Sequence, residues 1–228
     1  MTHPAPNMSS PRTLTLRSLG RAGYAETFRA MTAFTSGRTA ETADEVWLLE
    51  HPPVFTMGLK GRDGSRTDID GIPLVYTDRG GDITYHGPGQ LVAYLLMDLQ
   101  RRGWGPKHLV TAMEQAVIDL LADHGIQGAR RVGAPGVYTT TGKIAALGLR
   151  VKQGCSYHGL ALNIDMDLAP FFRIDPCGYP GQAVTQMADL GIRADLETIG
   201  RELAGKLAVQ LGYTGFQPAP EMLPLNFP

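Results

Sequence analysis

The chain is expected to be an α/β (α+β) protein, a mixed β-sheet with helices packed against it. Two observations carry that expectation. Residues 106–124 and 195–211 hold apolar side chains at helical spacing, while 13–17, 46–50, 72–76 and 91–96 are short β-type runs. These two kinds of segment mix without a strict strand–helix–strand alternation, which favours a mixed over an all-parallel sheet with helices on one face.

Taken in order, residues 1–11 are rich in proline and serine and are expected to be disordered. Residues 13–17 alternate, with Leu14 and Leu16 inward. A helix is expected at 24–34 and a strand at 46–50, stopped by His51-Pro52-Pro53 before an apolar run resumes at Val54. The charged, glycine-containing stretch 60–70 reads as a mobile loop. Pro106 suits a first helical turn and Gly125 a stop; Leu109, Val110, Met113, Ala116, Val117, Leu120 and Leu121 form one stripe. Asp195 is a candidate N-cap for the last helix, with Leu196, Ile199, Leu203, Leu207 and Leu211 inward and Gly212 ending it. Residues 217–228 read as an extended tail, leaving 12–216 as a single domain.

Composition narrows the function classes. A chain of 228 residues suits one substantial core. With 43% hydrophobic and 19% charged residues and a net charge of −1, it has no global field to attract nucleic acid or anionic lipid. The N-terminus lacks a signal-peptide core and no run is long enough to span a membrane, so a cytoplasmic protein with reduced thiols is expected. Cys155 and Cys177 form no CxxC pair, and the acids Asp165, Asp167 and Asp175 lack metal-ligand spacing. No metal or cofactor is expected.

Four motifs hold the chemistry. Residues 79–90, RGGDITYHGPGQ, set four glycines and a proline among varied polar side chains between two apolar runs. This resembles a binding loop on a rigid sheet more than a long surface hairpin. Residues 143–152 and 157–164 read as strands joined by a loop holding Cys155. Alternation puts Lys143 on the face of Ala145, Leu147, Leu149 and Val151, the charge on an apolar side. A desolvated lysine can serve as a base; a lysine snorkelling from a strand end is the commoner case. Gly136 and Gly142-Lys143 imitate a phosphate loop, but the spacing is one residue too long and Ile144 stands where Ser or Thr belongs. Cys177 sits in DPCGYPG, a rigid loop that suits a nucleophile. Its activating partner could be His86, His158 or Lys143, with generic chemistry favouring histidine. Cys155 reads as incidental.

Together RGGDITYHGPGQL, GKIAALGLRV, HGLALNI and PCGYPG resemble the bacterial octanoyltransferases of lipoate biosynthesis, over most of the chain from Leu14 to Leu211. The resemblance implies the fold of the biotin and lipoate protein ligases. It implies transfer of octanoyl from the thioester of octanoyl-acyl carrier protein to a lysine of lipoyl domains, those of 2-oxoacid dehydrogenase E2 subunits and the glycine cleavage H protein. It assigns a Cys177–Lys143 dyad in place of a Cys–His pair. The acyl chain would be bounded by Arg79, Gly80, Gly81, Asp82, Ile83, Thr84, Tyr85 and His86, by Ala146, Leu147 and Gly148, and by Gly159, Leu160 and Ala161. Two departures stand out: Ile83 replaces a valine, and Gly142 replaces a basic residue common in the family. Tyr85 and His86 are expected either to position the acyl carbonyl or the acceptor, with Asp82 holding the loop, or, all three alike, to serve loop structure through hydrogen bonds; His158 and Asn163 are expected to be structural. A monomer is expected. The rivals are an ATP-dependent ligase on the same fold, a non-catalytic carrier-binding protein and a Cys–His hydrolase.

Overall fold

The computed structural model describes residues 13–61, 66–174 and 183–220. Fourteen elements follow in order: β1 (Thr13–Arg21), α1 (Tyr24–Ser36), β2 (Glu45–Glu50), β3 (Val54–Met57), β4 (Asp68–Ile69), β5 (Ile72–Tyr76), β6 (Ile83–His86), β7 (Gln90–Leu96), α2 (Pro106–Asp123), β8 (Gly136–Tyr138), β9 (Lys143–Lys152), β10 (Cys155–Asn163), α3 (Leu196–Gln210) and β11 (Gly215–Pro218). Seven strands form one sheet in the order β11-β1-β2-β7-β10-β9-β8. Its β11, β1 and β2 are parallel; the β2–β7, β7–β10, β10–β9 and β9–β8 pairs are antiparallel. A second sheet has the order β4-β5-β3-β6. The mixed-sheet expectation holds.

The helices cover both faces of the large sheet, where one was expected. On one face α2 and α3 pack Leu109, Met113, Val117, Leu120, Ile199, Leu203 and Leu207 against Leu91, Ala93, Leu95, Leu160 and Leu162. On the other, α1 sets Ala30 and Met31 against Trp47, Val92, Tyr94 and Ala161. The strictly alternating β7 therefore feeds two cores, which is why all seven of its residues are buried. Each fully buried leucine contributes roughly 1.5–3 kcal/mol. Pro106 opens α2, and Asp195 caps α3 by accepting a 2.7 Å hydrogen bond from Thr198 N. Among the described residues no helix is long and apolar enough to cross a membrane.

Three local expectations need correction. The stretch 79–90 is not all loop, because residues 83–86 form β6 against β3. The β9–β10 turn is shorter than expected: Gln153 and Gly154 alone make it, at φ 51° and 78°, so Cys155 lies in β10. Gln217 and Pro218 pair with Thr15 and Leu16 in the parallel β11–β1 ladder, so ordered sheet continues past the expected boundary at 216. Residues 1–12, 62–65, 175–182 and 221–228 lie outside the described part, so the expected loop around Cys177, with Asp175, falls there.

Candidate active site

The second sheet lies over the α1 face of the first, and the space between them is a cleft of about 780 Å³, open mouth included. Its wall from β9 includes Lys143, Ala146, Leu147 and Gly148; β10 adds Gly159, Leu160 and Ala161; the β5–β6 segment adds Arg79, Gly81, Asp82, Ile83, Thr84 and His86. The cleft is therefore built from residues more than 60 positions apart in sequence, converging only through the sheet order. Two expected wall residues do not line it. Gly80 donates its N–H to Leu149 O at 2.8 Å, a tie between loop and sheet. Tyr85 turns its ring into a separate core, 5.3 Å from Phe55 and 5.6 Å from Phe171, because strand alternation sends it to the face opposite His86.

Lys143 enters the cleft for a reason alternation does not supply. The β8–β9 ladder slips between Val137 and Tyr138: Val137 pairs with Ala145, but Tyr138 pairs with Lys143. Ile144 is the extra residue of a bulge. Both Ile144 and Ala145 consequently pack into the α2–α3 core, and Lys143 stays on the side of the Tyr138 ring, a break in the alternation expected along β9. Lys143 is 7% exposed, with Nζ 5.4 Å from the centre of the Tyr138 ring. Arg131 stacks on the same ring at 4.2 Å, a cation that sequence reading missed. Gly136 leaves room for the lysine, since a β-carbon there would lie 2.4 Å from Lys143 Cε. Lys143 N donates to Ala183 O at 2.8 Å and Thr185 N donates to Lys143 O at 3.0 Å, so residues 183–185 pin the lysine's backbone.

The other polar groups are held by hydrogen bonds. Arg79 donates to Thr56 O at 2.6 Å and to Thr56 Oγ1 at 2.9 Å, fixing the glycine-rich segment to β3. Asp82 accepts from Ile83 N at 2.8 Å. Gln90 donates to Asn163 Oδ1 at 3.0 Å, which leaves its own carbonyl to accept from His86 Nδ1 at 2.7 Å. Burial, with His51 nearby, lowers the His86 pKa to about 3. His51 donates from Nδ1 to Ala22 O and accepts from Tyr94 OH, both at 2.7 Å; burial lowers its pKa to about 4. His51, Tyr24 and Tyr94 were not singled out in the sequence because nothing local marks them. Burial pushes the Cys155 thiol up, with Asp98 adding to it, as suits an inert thiol.

His158 and Asn163, expected to be structural, both line the cleft. Among the described residues no group of His, Cys, Asp or Glu could hold a metal ion.

The profile described as "Lipoyl protein ligase A/B catalytic domain" matches residues 23–208. The octanoyltransferase of Thiobacillus denitrificans is 59% identical over 194 residues, covering 85% of this chain and 89% of that protein. The chain belongs to this octanoyltransferase family. It is an acyltransferase. The octanoyltransferase of Aromatoleum aromaticum, 57% identical over 199 residues, covers 87% of this chain and 86% of its own length. Among solved structures, lipoate-protein ligase A bound with ATP superposes at a TM-score of 0.74 and 15% identity, covering 92% of this chain and 90% of the ligase. A biotin protein ligase from Aquifex aeolicus superposes at 0.52 and 9% identity, covering 87% of this chain and 68% of the ligase. Those two likenesses establish the ligase-like fold and no more.

Proposed function

We propose that the chain moves an octanoyl group from the thioester of an acyl carrier protein to the side-chain amine of a lipoyl-domain lysine, through a thioester on Cys177. Lys143, in its neutral form, takes the Cys177 proton. The thiolate attacks the octanoyl carbonyl, the bond to the carrier sulfur breaks, and the Lys143 ammonium returns the proton to the departing thiolate. The acceptor amine then attacks the Cys177 thioester; the C–N bond forms, the C–S bond breaks, and the amine's proton passes to the freed sulfur. Exchange between thioesters is nearly neutral and amide formation is downhill, so no nucleotide is needed.

One observation carries this reading: a bulge draws a buried lysine into a slot floored by alanine and glycine, in a chain 59% identical to an octanoyltransferase. Phe171 and Val184, on either side of the segment holding Cys177, both line that slot, which supports the dyad. The slot's apolar floor suits an eight-carbon chain, graded in preference because one methylene is worth only roughly 1–3 kcal/mol. The same reading places the enzyme in the cytoplasm as a monomer.

The test is nucleotide-free incubation with octanoyl-acyl carrier protein, followed by intact-mass analysis and addition of an apo lipoyl domain. A labile octanoyl adduct on Cys177 that passes to the acceptor is expected. Cys177→Ser abolishes transfer, and Lys143→Ala slows acylation by about 10²–10⁴ while the protein stays folded. An absolute ATP requirement overturns the proposal in favour of a ligase. Full activity of Cys177→Ser overturns it in favour of a binding protein.

A further inference from the structure

The mechanism leaves His158 unused, yet the chain is distorted to present it. Leu160 and Leu162 of β10, and Ile164 just after it, pack into the α2–α3 core. Alternation would send His158 there too. Instead its backbone is at φ 60°, in the left-handed region, which is costly for a non-glycine residue in mid-strand. The twist puts Tyr157 and His158 on the same face, with the imidazole 5.4 Å from Phe28 of α1 and 6.1 Å from Tyr94. Like the bulge at Ile144, this second break in alternation delivers a polar side chain to the cleft.

One ring nitrogen is spoken for. Nε2 donates to Asp78 Oδ1 at 3.1 Å, and Tyr157 OH donates to Asp78 Oδ2. Burial raises the Asp78 pKa, but the hydrogen bonds from His158 and Tyr157 outweigh it, so the carboxyl stays ionised and the pair is locked. Burial holds the imidazole neutral against the pull of Asp78. The proton therefore sits on Nε2, and Nδ1 is a bare acceptor. The residue is 1% exposed, and Nδ1 has no partner among the described residues. A buried acceptor of this kind calls for a ligand group or an ordered water.

Position excludes a role in the dyad. His158 pairs with Leu149, six residues along β9 from Lys143 and beyond the bulge, too far along the strand for contact with the lysine. Arg79 and Gly80 close over the strand at that end: a β-carbon on Gly148 would sit 3.1 Å from Gly80 O and 3.2 Å from Arg79 Cδ. The slot thus runs from a reactive end at Lys143 to a closed end at His158.

We propose that His158, oriented by Asp78, is a specificity-determining polar end wall that sets the upper length of the acyl chain. The inference rests on the octanoyl-transfer reading. A chain that stops short leaves the acceptor to its water. A longer apolar chain strips that water and strands the nitrogen, whereas a chain ending in a hydroxyl donates to it.

The test compares kcat/KM for octanoyl-, nonanoyl-, decanoyl- and 8-hydroxyoctanoyl-acyl carrier protein with the full-length enzyme. Nonanoyl and 8-hydroxyoctanoyl have the same number of heavy atoms and differ in the terminal methyl or hydroxyl. The wild type is expected to favour the hydroxylated chain by about tenfold, as for a buried group left paired or unpaired. In His158→Phe the decanoyl-to-octanoyl ratio rises by about tenfold. A wild type that prefers nonanoyl overturns the end wall even where the variant fails to fold. So does an unchanged chain-length ratio in a folded His158→Phe. Failure of the wild type to transfer octanoyl at all sinks the underlying transfer reading, and is thereby distinguished from failure of the end wall alone.

Discussion

His51 and His86, 5.7 Å apart and neutral, show what burial does to a titratable side chain. Unfolded, each takes up a proton near pH 6.5; folded, His86 does so near 3 and His51 near 4. Below about pH 6.5 the unfolded state binds more protons. Stability is therefore fully present above that pH and falls as the solution is acidified, by up to roughly 1.4 kcal/mol per pH unit for each histidine. Urea unfolding from about pH 8 to about pH 4.5 is expected to show this decline, with the slope reduced in His86→Gln. An identical slope in the variant would mean that His86 is not held neutral. In sequence, His86 was visible as part of a glycine-rich motif. His51, ending an ordinary strand before two prolines, was not, because its significance comes from Tyr94 forty-three positions away.

The bulge in β9 acts at the level of a whole strand. Removing one residue from the register would return Lys143 to the helix-facing side, where Ala145 and Leu147 pack. Gly136, at φ 143° opposite the bulge, is the space that the lysine's methylene chain occupies. Gly136→Ala is expected to cost about 1–3 kcal/mol through forced displacement. On the proposed mechanism it should also lower octanoyl transfer by at least about tenfold, since displacing a reacting group by an ångström can cost about 10². Thermal melts and single-turnover acylation check the two effects, and a variant with wild-type acylation would show that the lysine does not depend on this gap. Local propensity identified β9 and its partner but missed the bulge, because one extra residue leaves no mark in a run as uniformly apolar as Ile144 to Leu147. His158 was expected to be structural; its place in the cleft lining comes with a left-handed backbone that no neighbouring residue announces.

Across the whole molecule, Asp44 ties together parts remote from the cleft. Its carboxylate, 3% exposed, meets Arg38 at 2.5 Å and Arg101 at 2.9 Å, and accepts from Tyr213 OH at 2.8 Å. It joins the end of α1, the start of β2, the segment after β7 and the end of α3. The Arg38 side chain is only 4% exposed, so Asp44→Asn leaves a buried cation without its charge partner. A loss of about 3–5 kcal/mol is expected, read by denaturant unfolding. Activity per folded molecule should be unchanged, because none of these side chains lines the cleft. A loss of activity in the folded fraction would show that the hub reaches the active site.

By itself, the order of residues determined the element types, the two helix stripes, the four motifs and the family, since periodicity and motif identity are properties of neighbouring positions. Tertiary structure decided which side of each strand faces the cleft, put α1 and the helix pair α2–α3 on opposite faces of the sheet, and gathered His51, Tyr24 and Tyr94 around it. The physical reason is that register, bulges and burial depend on pairing between distant strands, and a one-residue slip reverses every side chain beyond it.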